Sequence, residues 1–345
     1  MTAPKLGYNT GYWGSGPPVG ALEAIKEAER LGFTSVWTAE AYGSDALSPL
    51  AWWGAHTKTI RLGTAIMQMA ARTPATTAMA AMTMDHLCDG RFILGLGASG
   101  PQVVEGWYGQ PYSKPLARTR EYIQIVRDVV RRDAPIDFHG EFYEMPRSNG
   151  TGLGKPLKST IHPLRKEIPI FLGAEGPKNV ALAAEICDGW LPLFFSPKEN
   201  AFYQNCLDEG FAKSGDATKR DRFEVACNLM IIPGDDAEKC ADFVRPFLAL
   251  YAGGMGARGV NFHFEVFARM GYEDVALRVQ ELYLAGKKQE AAACIPLAMV
   301  EDVALVGPPA KIRDELARWR ETCLTTFLLG GPASLLGTYA EMLAS

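Results

Sequence analysis

Short apolar or β-branched segments alternate with longer segments of helical periodicity along most of this 345-residue chain. Such alternation is typical of parallel β/α units, because each buried strand needs a helix to carry the chain back across the sheet. We count eight strands, at residues 6–10, 34–39, 60–66, 92–96, 168–172, 189–193, 223–232 and 325–329. The helical segments include residues 21–31, 74–87, 118–131, 177–186, 235–251 and 311–321. Eight strands with their helices fill one closed (β/α)8 TIM barrel, so the sequence predicts a single α/β domain over residues 1–345.

Two segments interrupt the repeat and are predicted to be insertions. Residues 133–167 are rich in Gly, Pro and Ser, and residues 253–303 contain a helical part at 272–284. Long insertions in such barrels usually lie at the carboxyl ends of strands, although the first one follows a helix and could lie on the opposite face. An open doubly wound sheet is the alternative architecture. It would need a glycine-rich turn after the first strand and an acidic residue about 20 positions later, and residues 8–14 match this poorly.

Composition excludes several classes of function. The net charge of −4 comes from interspersed signs, so there is no basic stripe for nucleic acid. No apolar run approaches the roughly 18 residues of a membrane span, and residues 1–16 lack the pattern of a secretory signal. We therefore expect a cytoplasmic protein. Seven cysteines without a C-x-x-C pair and five histidines without an H-E-x-x-H pattern argue against disulfides and against a metal site.

A glycine-rich loop follows the fourth predicted strand. Gly95, Gly97 and Gly100 permit positive φ and a close approach of the backbone to a flat or anionic ligand. A similar loop follows the fifth strand and runs into Pro177, at a helix start whose free N–H groups favour an anion. The candidate ligand-binding residues of the two loops are Gly97, Ala98, Ser99, Gly100, Gln102, Gly173, Ala174, Glu175 and Gly176. The plainer alternative is a pair of tight turns after barrel strands.

Other candidates follow the first three strands, at the barrel end where active sites of this fold collect. Glu40 comes after the second strand, where a desolvated carboxylate would suit proton transfer, although it could equally be solvated or held in a salt bridge. Asn9 and Trp13 follow the first strand, with a plug of the barrel mouth as the alternative. Gln68 follows the third strand between two methionines that could pack on a planar ring or simply belong to the core. Arg72 is expected to hold its loop rather than to meet substrate.

Several blocks of sequence carry a family resemblance, namely residues 31–37, 60–66, 84–92, 97–109, 173–177 and 184–190. Together they resemble the luciferase-like monooxygenase superfamily, and within it the branch that uses the 5-deazaflavin coenzyme F420. The first three blocks are typical of the superfamily. Residues 99–107 look like the deazaflavin branch in particular. The resemblance spans nearly the whole chain.

This resemblance implies a (β/α)8 barrel, usually a homodimer, with the coenzyme ring in the barrel mouth. It also implies a cis peptide bond between Ala65 and Ile66, at the back of the ring, with ligand phosphate at the two glycine-rich loops. The expected reaction is hydride transfer between the deazaflavin C5 and a small organic substrate. Glu40 would act as the catalytic acid or base. The expected substrate contacts are Asn9, Trp13, Trp37 and Trp107.

The family's sugar-phosphate dehydrogenases have a histidine at the position of Glu40 and a glutamate near the position of Gly100. This chain has neither, so we do not expect it to oxidise glucose 6-phosphate. Two alternatives remain open. One is an FMN-dependent monooxygenase that receives reduced flavin and activates oxygen, and the other is a non-catalytic protein that binds flavin or deazaflavin.

Overall fold

Eight parallel strands close into a barrel in the computed structural model, which confirms the predicted fold. The structure describes residues 4–11, 13–256 and 261–344. Its strands are β1 Lys5–Asn9, β2 Ser35–Thr38, β3 Arg61–Thr64, β4 Met67–Gln68, β5 Phe92–Gly97, β6 Phe138–His139, β7 Glu144–Met145, β8 Ile170–Gly173, β9 Gly189–Leu191, β10 Glu224–Asn228, β11 Met230–Pro233, β12 Ala304–Gly307 and β13 Thr326–Leu329. The order round the barrel is β3, β2, β1, β13, β10, β9, β8 and β5, and the pairing of β5 with β3 closes the ring.

Helices cover the outside of the barrel. They are α1 Ala21–Arg30, α2 Leu47–Gly54, α3 Pro74–Leu87, α4 Pro101–Gly106, α5 Pro115–Arg131, α6 Pro177–Ile186, α7 Asn200–Ser214, α8 Lys219–Arg222, α9 Ala237–Ala241, α10 Arg245–Ala249, α11 Phe262–Phe267, α12 Glu273–Leu284, α13 Lys288–Ala293, α14 Leu297–Glu301, α15 Pro309–Arg320 and α16 Ala333–Ala344. Their starts follow local chemistry. The Thr73 hydroxyl accepts from the N–H of Thr76 and Pro74 takes the first helical position, so α3 begins there.

The barrel interior is filled by one inward-pointing side chain from each of six strands, β2, β5, β8, β9, β10 and β13. These are Trp37, Ile93, Phe171, Leu191, Ala226 and Leu328, with Ala65 and Ile66 packed above them. The Trp37 and Phe171 rings lie 5.5 Å apart, and the Trp37 indole N–H donates to the Ser35 hydroxyl. Trp37 has no exposed surface. It therefore belongs to the packing of the barrel and not to an open substrate wall, contrary to our hypothesis that it contacts substrate.

The amino-terminal end of the barrel is closed by an ion network. The Glu224 carboxylate accepts from Lys5 Nζ at 2.9 Å and from Arg61 at 2.8 Å. The Thr326 hydroxyl donates to the same carboxylate. A ligand therefore enters at the opposite end, where the carboxyl ends of the strands and their loops lie.

The structure divides the predicted strand 223–232 in two. Strand β10 lies in the barrel, whereas β11 leaves it and pairs in parallel with β12 in a separate two-stranded sheet. Sequence reasoning missed β12, because it expected residues 223–232 to be one uninterrupted strand and assigned no strand between residue 303 and the helix at 311–321. Helices α11 to α14 of that insertion form a second apolar core with Phe194, next to the barrel mouth.

The first insertion, residues 133–167, starts after the carboxyl end of α5, passes along this helix to its first turns near the mouth, and then returns to the amino-terminal side of the barrel. Its hairpin of β6 and β7 is held by Glu121 of α5, whose carboxylate accepts from the N–H groups of residues 141–143. Further along, Arg165 pairs with the buried Asp85 near the end of α3, on the amino-terminal side of the barrel. The insertion therefore brings Tyr143 close to the first turn of α5, on the side of the mouth.

Candidate functional site

Polar side chains from several strands meet at the carboxyl end of the barrel. The Asn9 amide at the end of β1 donates to the Asn228 Oδ1 at 3.2 Å, and its own oxygen accepts from the Gly11 N–H. Asn228 is the last residue of β10. Sequence reasoning missed Asn228 because the predicted strand continued past it. The signal that could have found it is its position at the end of the seventh barrel strand.

Glu40 lies at this end of the barrel and is held in a two-pronged ion pair. Its carboxylate accepts from both terminal nitrogens of Arg72, at 2.7 and 2.8 Å, and from the Gln68 N–H at 2.8 Å. The Glu40 side chain is 5% exposed and that of Arg72 18% exposed. The hydrogen bond to Glu40 raises the pKa of the Arg72 guanidinium. Oε2 accepts two of these hydrogen bonds and Oε1 only one, so Oε1 keeps an acceptor position at which a proton could bind.

The peptide bond between Ala65 and Ile66 is cis, as the resemblance implies. It lies next to Glu40, because the Glu40 N–H donates to the Ile66 carbonyl at 3.0 Å. The side-chain amide of Gln68 donates to the Glu40 carbonyl at 3.1 Å. Three of the predicted site residues after the third strand, Ala65, Ile66 and Gln68, are thus bound directly to the segment that carries the predicted acid or base.

The two glycine-rich loops follow neighbouring strands, since β5 pairs with β8. They lie on either side of the Ile66 side chain. A Cβ atom added to Gly97 would lie 2.5 Å from the Ile66 Cδ1, and one added to Gly173 would lie 2.9 Å from its Cγ2. These two glycines therefore make room for Ile66, a requirement that sequence reasoning did not foresee. Gly176, by contrast, has no heavy atom within 4 Å of an added Cβ and is open to a ligand.

The first loop also contains a residue in the left-handed region, Ser99, with φ of +59°. Gly100 follows Ser99 and precedes the first turn of α4. A Cβ atom added to Gly100 would lie 3.1 Å from the Gln102 side-chain oxygen. In the second loop Ala174 is buried, and its carbonyl accepts from the Trp190 indole N–H at 2.8 Å. Ala98 is half-buried. The structure thus brings all the predicted loop residues to one side of the mouth.

Glu175 differs from what a simple anion-binding loop would contain. One of its oxygens accepts from the Leu193 N–H at 2.7 Å, and burial raises the pKa of the carboxyl to about 8. At neutral pH the group is therefore mostly protonated and carries no charge. A neutral carboxyl can donate a hydrogen bond next to an anionic ligand, whereas a carboxylate there would repel it.

Of the three tryptophans predicted to contact substrate, Trp13 and Trp107 lie near the loop after β2. Trp107 follows α4, is 63% exposed and has its ring 6.4 Å from that of Tyr42. Trp13 is half-buried against the main core, and its carbonyl lies 3.1 Å from the position of a Cβ on Gly43. The Trp107 ring and the Trp13 main chain therefore border the same loop.

Four buried polar atoms near the mouth have no hydrogen-bond partner within the described ranges. They are Trp13 Nε1, Thr38 Oγ1, Gln68 Oε1 and Glu175 Oε2. A buried polar atom without a partner costs about 1–3 kcal/mol, so a ligand that pairs with such atoms gains affinity. Donors and acceptors are both present, and this mixture fits a planar heterocycle with carbonyl and N–H groups along its edge, such as a flavin or a deazaflavin. Among all the residues that the structure describes, no cluster of His, Cys, Asp or Glu could hold a metal ion.

The sequence profile of the family described as "Luciferase-like monooxygenase" matches residues 6–326, so the chain belongs to this family. The predicted resemblance is confirmed.

Among its relatives is a proposed coenzyme F420-dependent oxidoreductase of Mycobacterium tuberculosis, 53% identical over 94% of each chain. A coenzyme F420-dependent tetrahydromethanopterin reductase from Methanopyrus kandleri has a similar structure, with a TM-score of 0.79 at 21% identity, covering 99% of this chain and 96% of that one. An F420-dependent secondary alcohol dehydrogenase in complex with an F420-acetone adduct is also similar, with a TM-score of 0.77 at 18% identity, covering 99% and 98%. At these identities the two structures establish the fold.

Proposed function

We propose that the protein is a coenzyme F420-dependent oxidoreductase that transfers a hydride between the deazaflavin C5 and a small organic substrate. The observation that carries this proposal is the 53% identity, over 94% of both chains, to the mycobacterial relative of that description. The mouth supports it, because buried donors and acceptors without partners line the place where a planar ring would lie.

The residues that would hold the coenzyme are those after β3, β5 and β8. We propose that the ring lies against Ala65, Ile66 and Gln68, and that the phosphate meets the N–H groups of the two glycine-rich loops. The loop residues involved would be Gly97, Ala98, Ser99, Gly100, Gln102, Gly173, Ala174, Glu175 and Gly176. When bound, F420 supplies a carbon, C5, that gives or accepts a hydride and reacts poorly with oxygen.

The substrate would lie above the ring, against Asn9, Trp13 and Trp107. We propose that Glu40 moves the proton that accompanies the hydride, because its own N–H donates to the Ile66 carbonyl and its carboxylate lies beside the Gln68 N–H. The neutral Glu175 would then donate a hydrogen bond to the coenzyme without charge repulsion.

Coenzyme binding tests the proposal directly. We expect the purified chain to bind F420 with a dissociation constant of about 1 μM or lower, and FMN at least about tenfold more weakly, in fluorescence titrations. Gly176→Leu should weaken F420 binding at least about tenfold, because the new side chain would occupy open space at the start of α6 without a clash. Gly337→Leu is the matched control, since that glycine also has open space but lies in α16.

Each alternative predicts a different result in the same titrations. Tight FMN binding with weak F420 binding would favour the monooxygenase. Tight F420 binding without reduction of the coenzyme by alcohols, sugar phosphates or enones would favour the non-catalytic binder. Failure to retain either coenzyme would refute the proposed function altogether.

We further propose that the protein works in the cytoplasm as a homodimer. All seven cysteines are free thiols, as is usual in a reducing compartment. Helices α2 and α3 pack on each other and expose three large apolar side chains, Trp52, Met79 and Leu87, which are 58–64% exposed. We propose that these side chains form the apolar centre of the dimer interface. In the described ranges no helix is long and apolar enough to cross a bilayer.

Trp52→Glu should convert the dimer to a monomer, because a carboxylate in the centre of an apolar interface would be desolvated without a partner. Light scattering should give twice the 37.6 kDa chain mass for the wild type and the single mass for the variant. Phe243→Glu is the matched control, since Phe243 is 77% exposed but lies between α9 and α10. A monomeric wild type, or a dimeric Trp52→Glu, would contradict this interface.

A further inference from the structure

A cavity of about 250 Å³ lies beside the barrel mouth, between the first turns of α3 and α5. We call it the side cavity, and its lining includes Arg72, Thr73, Ala98, Ser113, Arg118 and Tyr143. Of the residues proposed to hold the coenzyme, only Ala98 contributes to this lining. The side cavity is therefore a separate space behind the first glycine-rich loop, and the proposed function does not use it.

The charge of the side cavity comes from Arg118. No carboxylate within the described ranges forms an ion pair with its guanidinium, and its Nε is buried without an acceptor. The guanidinium lies over the Phe142 ring, 4.7 Å from the ring centre, which fixes its position. Glu121, one turn further along α5, forms no ion pair with it and turns its carboxylate to the hairpin N–H groups instead. Arg72 on the opposite wall is already neutralised by Glu40.

The rest of the lining suits an anion with an apolar part. Thr73 and Pro115 belong to the first turns of α3 and α5, of 14 and 17 residues, and the amino ends of long helices carry a partial positive charge. Tyr143 adds a hydroxyl, and Met69 and Val104 add apolar surface. A volume of about 250 Å³ is slightly below the usual range for ligand sites, so the occupant must be small.

We propose that the side cavity is a second ligand site, which binds a small organic anion, a carboxylate or a phosphate monoester, through Arg118. The anionic group lies against the guanidinium, and the organic part packs on the apolar wall. This site is independent of coenzyme binding, so its occupation can be measured whether or not the chain binds F420.

Calorimetric titration of the coenzyme-free full chain tests this site, with phenyl phosphate and benzoate as the two anionic probes and benzyl alcohol as the neutral one. We expect at least one anionic probe to bind with one-to-one stoichiometry and the alcohol to bind at least about tenfold more weakly. The probe that binds more tightly shows whether the natural ligand of the side cavity carries a phosphate or a carboxylate.

Arg118→Met should weaken binding of the anionic probe at least about tenfold, because it removes the charge and keeps an unbranched side chain on the aromatic ring. Arg120→Met is the matched control on the same helix, since Arg120 pairs with Glu185 on the exposed surface and should leave binding unchanged. Ser113→Trp would fill the side cavity from an exposed loop. If Arg118→Met lowers the melting temperature of the protein, loss of anion binding in Ser113→Trp tests the site instead. Gly176→Leu should leave the affinity for the anionic probe unchanged, because Gly176 lies in the second glycine-rich loop, at the barrel mouth and outside the side cavity.

Three results would overturn the proposal. The first is no binding of either anion at a probe concentration of about 10 mM. The second is equal binding of benzyl alcohol. The third is an affinity that survives both Arg118→Met and Ser113→Trp, because the anion would then occupy another place.

Discussion

Glu40→Gln is expected to lower the turnover number about a thousandfold, while the dissociation constant for F420 changes less than about threefold. Glutamine has nearly the shape of glutamate and can still accept a hydrogen bond from the Gln68 N–H, so the neighbouring Ala65–Ile66 segment keeps its support. It cannot take up or release a proton. Stopped-flow reduction of the bound coenzyme, together with a binding titration, separates the two effects.

A matched variant distinguishes proton transfer from a purely positioning role. Arg72→Met leaves the carboxylate in place but removes its partner, which should cost about 3 kcal/mol of unfolding free energy, since both side chains are largely buried. If Glu40 transfers the proton, Arg72→Met retains turnover with a displaced pH profile. If the pair only holds the loop, both variants lose turnover to a similar extent and keep the wild-type profile. Unchanged turnover in Glu40→Gln would exclude either role.

The barrel could be predicted because its pattern is local. Each strand is a short apolar run and each helix has its own periodicity, so the eight strands stand within a few residues of their predicted places. The departure at β11 has a physical reason. The apolar pattern continues through residues 223–232, whereas the end of β10 is fixed by its partners in the barrel, which the local sequence does not record.

The contacts of the site could be predicted only in part, because they join distant positions. Glu40 and Arg72 are 32 residues apart, and nothing in either segment shows that they pair. A salt bridge was one of the expected environments of Glu40, and the structure shows that the carboxylate is in one with Arg72, beside the Gln68 N–H. Asn228 was missed for the same reason, since its partner Asn9 comes from the other end of the chain.

Gly95→Ala should have the largest effect on stability, about 4 kcal/mol or more of unfolding free energy. A Cβ on Gly95 would lie 1.7 Å from the carbonyl oxygen of Thr64 on the neighbouring strand. The strands cannot move apart freely at this point, because the Gly95 N–H donates to the Thr64 hydroxyl and that hydroxyl donates to the Gly95 carbonyl. The clash is thus with main chain inside a closed ring, where relief needs the barrel to distort.

Chemical denaturation of Gly95→Ala and of Gly176→Ala, as its control, measures this difference. The control should change the unfolding free energy by less than about 1 kcal/mol, because its Cβ would meet open space at an ordinary φ of −80°. A loss below about 1 kcal/mol in Gly95→Ala would contradict the argument. Glycines that look alike in sequence are thus present for different physical reasons. Gly95 is required because a side chain there would clash with the neighbouring barrel strand, and Gly97 and Gly173 are required because a side chain there would clash with Ile66. Gly176 has open space beside it, where a ligand could bind.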